Sequence, residues 1–110
     1  MSGYSGLDVL TGAVISLDEA EALTGGYQNN FPTEPKAYFI GAERLKQVLE
    51  QENCIGVRIY NGYDEAEGKK NLVLVGVNIT TEDMTDGVIL DKLAQCPNHC
   101  DVGSPLYFSS

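Results

Sequence analysis

The chain has 110 residues, 43% of them hydrophobic and 21% charged, which suits an ordinary folded domain and excludes disorder, collagen and coiled coil. Seven basic residues against 16 acidic ones leave a net charge of −9. A surface that acidic repels phosphate backbones and anionic lipid, so neither nucleic acid nor a membrane is expected as a partner.

Residues 1–15 mix Gly and Ser with small apolar residues and read as an N-terminal arm anchored by Leu7, Val9 and Leu10. The start, Met1 to Gly6, has no Lys or Arg and no long apolar run after it, which predicts a cytoplasmic protein without a signal peptide. Residues 16–110 are expected to form a single globular domain. Ser16-Leu17-Asp18-Glu19 is a capping box, in which each of the outer side chains satisfies a backbone N–H at a helix start. Leu17, Ala20, Leu23, Tyr27 and Phe31 recur at helical steps and predict an apolar stripe that packs on the rest of the domain. Gly25-Gly26 weakens that helix, and Pro32 and Pro35 close the region.

Ala37–Ile40 predicts a brief strand, and residues 42–51 a second amphipathic helix with Leu45, Val48 and Leu49 on one face. Ile55 to Tyr60 alternates strictly, the pattern of a half-buried strand. Leu72 to Val77 is apolar throughout, which predicts a central strand covered on both faces. An antiparallel hairpin with a long acidic tip over residues 61–70 joins them most simply. Residues 78–87 are turn-rich, 88–93 form a third strand or a short helix, and the tail from Cys96 is irregular. The fold class that results is α+β: two amphipathic helices packed on a small, mainly antiparallel sheet.

The segments Ile55-Gly56-Val57-Arg58-Ile59-Tyr60-Asn61-Gly62, Leu72-Val73-Leu74-Val75-Gly76-Val77-Asn78 and Cys96-Pro97-Asn98-His99-Cys100 resemble those of a family of small uncharacterised bacterial proteins. The likeness covers most of residues 15–105 and consists of strand, loop and cysteine placement. No activity is established for that family, so the resemblance implies no functional residue. Its cysteine segment reads Cys-Pro-Pro-x-Cys, and here Asn98 stands for the second Pro.

Three residue sets carry possible chemistry. Cys54, Cys96, His99 and Cys100 are all the cysteines and the only histidine, and by count they make a tetrahedral zinc set. Their spacing lacks the paired halves of structural zinc sites. The same cysteines also allow a disulfide, either Cys96 to Cys100 or one of these to Cys54, or plain buried thiols. The odd count favours a reducing compartment. The second set, Arg58, Tyr60 and Tyr63, is a candidate interaction surface, since aromatic residues and Arg are enriched at binding hot spots. The third comprises the acidic clusters Asp64-Glu65-Ala66-Glu67 and Glu82-Asp83 with Asp86, which lack the order of a calcium loop and read as solvated turns. No nucleophile with a base and an orienting carboxylate is identifiable, and the glycines form no phosphate-binding loop. The expected function is that of a non-enzymatic interaction or self-assembling module without a cofactor, whose partner is another protein or a second copy. The alternative is a zinc or redox protein built on the cysteines.

Overall fold

Ser16 starts the first helix in the way its capping box requires. Its Oγ accepts the Glu19 N–H at 3.1 Å, and the Glu19 carboxylate accepts the Ser16 N–H at 2.9 Å. In this computed structural model, which describes residues 6–107, the helix α1 runs Leu17–Asn30, straight through Gly25-Gly26. The fold is α+β, with two helices and two small antiparallel sheets in place of one. The chain divides into two compact units, one of residues 6–12 and Ile40–Leu93, the other of Ala13–Phe39 and residues 94–107. Of the N-terminal arm, residues 1–5 lie outside the described residues. The rest is held by a turn at Asp8, with Val9 and Leu10 exposed rather than anchoring.

The unit that contains α1 has a two-stranded ladder, β1 (Ala37–Phe39) against β5 (Ala94–Cys96), with Ala37 opposite Cys96 and Phe39 opposite Ala94. β1 is the brief strand expected. β5 lies between the expected element over 88–93 and the tail from Cys96, where the sequence suggests no strand, because three residues are too few to show a period. The expected stripe of α1 does not pack. Leu17, Leu23, Tyr27 and Phe31 are exposed, and the buried positions are Gly25 and Gln28. The buried face is rotated by about 100°, one residue, from the apolar one. Gln28 takes its place there because its side-chain amide donates to the Leu106 carbonyl at 3.0 Å, tying α1 to the tail. Lys36 adds a second tie, its ammonium 4.3 Å from the centre of the Tyr107 ring.

In the other unit, α2 (Ala42–Leu49) lies beside a three-stranded sheet of order β2-β3-β4: β2 Cys54–Asp64, β3 Lys69–Asn78 and β4 Ile89–Leu90. Val48 is fully buried, whereas Leu49 is exposed. β3 is the central strand, as its apolar run predicts, and Leu74, Val75 and Val77 are in the core. The hairpin is longer and its tip shorter than expected. Tyr63 still faces Lys70 and Asp64 faces Lys69, and the second pair sets opposite charges across the ladder where apolar burial ends. The turn is closed by the Asp64 carboxylate, which accepts the N–H groups of Ala66 and Glu67, and by Gly68 at φ +67°. A bulge at Ile55 separates the Cys54–Asn78 pair from an unbroken register of Gly56 to Asp64.

Gln51, just past α2, fastens the helix to the sheet. Its amide donates to the Val48 carbonyl at 2.9 Å and accepts the Val88 N–H at 2.8 Å. A Cβ placed on Gly76 would meet Gln51 Nε2 at 2.9 Å, Cys54 Sγ at 3.1 Å and Met84 Sδ at 3.2 Å. Gly76 is therefore the gap in β3 into which three side chains fit.

Candidate functional site

Arg58 and Tyr60 share a face of β2, two residues apart, and both turn to one carboxylate. Arg58 donates to Asp83 at 2.5 Å and to the Thr81 carbonyl at 3.4 Å, and the Tyr60 hydroxyl donates to the other oxygen of Asp83. Asp83 bridges to Val77, and Val77 already pairs with Gly56 of β2 on its other side. The network thus spans β3 on the face that carries Val75 and Val77.

Asp83 is brought there by a loop that Asn78 organises. The Asn78 side-chain oxygen accepts the Thr80 N–H, the Thr80 hydroxyl and the Glu82 N–H at 3.0, 2.8 and 3.0 Å. Thr81 completes the turn at φ +67°, an uncommon position for a β-branched residue. The hydrogen bond from Tyr60, with Arg58 beside it, holds the Asp83 carboxyl below its usual range. The same carboxylate raises the Arg58 guanidinium and the Tyr60 hydroxyl above theirs. Near neutral pH the triad is Arg⁺, neutral Tyr and Asp⁻, a fixed charge pattern and not a poised acid–base pair.

Of the expected surface, Arg58 and Tyr60 come together and Tyr63 does not. Side chains alternate along a strand, and the register is unbroken between 58 and 63, so Tyr63 lies on the opposite face. There its hydroxyl is 3.9 Å from the position of a Gly68 Cβ. Asp83, read from the sequence as part of a solvated acidic turn, is the residue that was missed. The available signal was Arg58 itself, a cation in an otherwise apolar strand that calls for a carboxylate.

The outer edge of β2 is the second feature. The Met84 N–H donates to the Gly76 carbonyl at 2.8 Å, and the Asn78 N–H to Glu82 at 3.1 Å, so Gly76 and Asn78 turn their backbone groups toward the β4 side. Val73, Val75 and Val77 therefore bond β2, through Tyr60, Arg58 and Gly56. The backbone groups of Val57, Ile59, Asn61 and Tyr63 point outward. Among the described residues no strand pairs with that edge. Ile59, Tyr60 and Tyr63 are exposed along it.

Cys96 and Cys100 form a disulfide, with Cα atoms 4.9 Å apart, and the Cys96–Pro97 peptide bond is cis. Cys96 is buried at the end of β5, Cys100 is half-buried, and His99 is exposed with its N–H on the Gln95 carbonyl. Cys54 is a free thiol in the other unit, and its Sγ donates to the Gly56 carbonyl at 3.2 Å. The bridge takes up two of the four candidate zinc ligands. Among the described residues no group of three or more His, Cys, Asp or Glu is gathered to hold a metal ion. Nor is any helix among them long and apolar enough to cross a membrane. The chain matches no family model, no curated protein and no solved structure.

Proposed function

We propose that the protein is a small non-enzymatic interaction module that takes a protein partner along the outer edge of β2. The observation that carries this reading is the edge itself: outward backbone groups at Val57, Ile59, Asn61 and Tyr63, flanked by exposed Ile59, Tyr60 and Tyr63. An unpaired edge is a template for an added strand, whose main-chain bonds supply affinity. The Arg58–Tyr60–Asp83 network supports the reading because it fixes two side chains of β2 before any partner arrives. The net charge of −9 disfavours nucleic acid and anionic membranes. The proposal places the chain in the cytoplasm and groups it with the small bacterial proteins whose strand and cysteine segments it resembles. Cross-linking in native extract tests the interaction. Cross-links to a protein are expected at residues 57–63 and should be lost in Asn61→Pro, which removes an outward N–H. A chain that links to nothing along β2 would end the reading.

A second reading, a redox protein, is favoured by the Cys96–Cys100 bridge, a local pair of which Cys100 is only half-buried. Its zinc version needs Cys54, Cys96, His99 and Cys100 as free ligands. Thiol titration of native protein with elemental analysis tests both versions. Three free thiols without metal would remove both of them.

A further inference from the structure

We infer that the occupant of the β2 edge is a second copy of this chain, paired antiparallel about a two-fold axis at Tyr60. The inference rests on the interaction reading above and names its partner.

Charge is the first argument. The chain as a whole is strongly acidic, so two copies repel one another over most of their surface. The hairpin of β2 and β3 differs. Residues 54–78 carry Arg58, Lys69 and Lys70 against Asp64, Glu65 and Glu67, and Asp83, bound to Arg58, brings the hairpin to a net −1 against −9 for the whole chain. The open edge is thus where an identical acidic chain meets the least net repulsion.

The second argument is register. The outward positions are 57, 59, 61 and 63, a set symmetric about 60. With Tyr60 on the axis, Val57 meets Tyr63 of the second copy and Ile59 meets Asn61 of the second copy. Every outward N–H and C=O on both strands then finds a partner. Shifting the axis to residue 58 would set Arg58 against itself, and an axis at 64 would do the same to Asp64. About Tyr60 these charges face Gly62 and Gly56 of the second copy, so no like charges oppose one another. The pairing is closed, because a two-fold contact uses the same edge on both chains and leaves none open for a third.

The third argument is what the edge lacks. Natural edge strands are protected by Pro, by charged side chains, above all Lys, or by a bulge that twists them away. β2 has neither Pro nor Lys; of its two charges Arg58 is tied to Asp83 and Asp64 stands at the turn, and its bulge lies at Ile55, leaving residues 56–64 in regular register.

Light scattering on eluting protein should give twice the chain mass of 11.9 kDa, falling to the single-chain mass in Asn61→Pro. The N–H removed in that variant points away from β3, so the hairpin keeps its ladder. The register is read in a Cys54→Ser background. Only Tyr60 faces its own copy across the axis, at a Cα separation of about 4.5 Å that a disulfide can span. Tyr60→Cys should therefore form a covalent dimer on mild oxidation, and Tyr63→Cys should not. If Asn61→Pro does not fold, the two cysteine variants still decide. A wild-type chain that elutes at the single-chain mass at every concentration overturns the inference, as does cross-linking by Tyr63→Cys as fast as by Tyr60→Cys. A single-chain mass together with β2 cross-links to a different protein overturns the two-fold pairing and leaves the interaction reading standing. The absence of both overturns both.

Discussion

Gly76→Ala puts the packing of the sheet unit to a quantitative test. The added Cβ would sit 2.9 Å from Gln51 Nε2, 3.1 Å from Cys54 Sγ and 3.2 Å from Met84 Sδ. Gln51 cannot simply swing aside, because its amide is held at both ends, by the Val48 carbonyl and the Val88 N–H. Forcing a methyl into such a site costs about 1–3 kcal/mol. Replacing Gly also stiffens the unfolded chain, which returns about 0.4–1 kcal/mol. The expected net loss is about 1–2 kcal/mol. Urea unfolding measures it as a lower midpoint at unchanged slope. The double variant Gly76→Ala/Met84→Ala distinguishes crowding from other causes. Truncating Met84 opens space, so the two losses should add to less than their sum, with a coupling of about 0.5 kcal/mol or more. A Gly76→Ala protein as stable as wild type, or strictly additive losses, would refute the crowded gap.

Asp83 has a depressed pKa in the folded chain, so its contribution to stability is present above the unfolded carboxylate range and is lost as pH falls through the folded value. Tyr60 is raised, so its contribution holds below about pH 10 and is lost as pH rises beyond. Melting temperature against pH should therefore fall on both sides, with the acid limb shallower in Asp83→Asn and the alkaline limb shallower in Tyr60→Phe. Ser16→Ala should cost about 0.5–2 kcal/mol in denaturant melts through loss of the N-cap. Replacing both Cys96 and Cys100 by Ser should cost about 2 kcal/mol on loop entropy alone, read as the difference in unfolding free energy between bridged and unbridged chains. Val75→Lys should give no cooperative unfolding transition, since it buries an unpaired charge in the central strand.

Elements whose cause is local were legible in the sequence. The cap of α1 is four consecutive residues, and the apolar run of β3 reports a strand covered on both faces. The ends of the hairpin were less so, because Asn61–Asp64 and Lys69–Leu72 pair through backbone and cross-strand charge where the apolar pattern fades. The orientation of α1 could not be read from periodicity. Periodicity finds the apolar face and assumes that this face is buried, whereas Gln28 and Gly25 take that position through the Leu106 hydrogen bond and a small backbone profile. At the candidate site, the two-residue step from Arg58 to Tyr60 was legible, and the same alternation separates Tyr63 from them. Asp83 was hidden because its approach depends on the Asn78 turn and on Thr81 in a left-handed conformation, neither of which leaves a periodic trace.

Phe39 and Ala94 face one another in the β1–β5 ladder, and everything from Ile40 to Leu93 runs between them. One unit is thus an excursion inside the other, and this orders their folding. The β2–β3 hairpin joins near neighbours in sequence and closes quickly. Bringing Phe39 to Ala94 across roughly fifty unfolded residues carries a length-dependent closure cost of about 3.5 kcal/mol. Once the excursion has folded, its two ends are already brought together and most of that cost is gone. Closure of the β1–β5 ladder is therefore favoured by a folded excursion, whereas the β2–β3 hairpin closes without the ladder. Core substitutions at Val48 or Val75 should unravel both units, whereas damage at Gln28 should leave the hairpin standing.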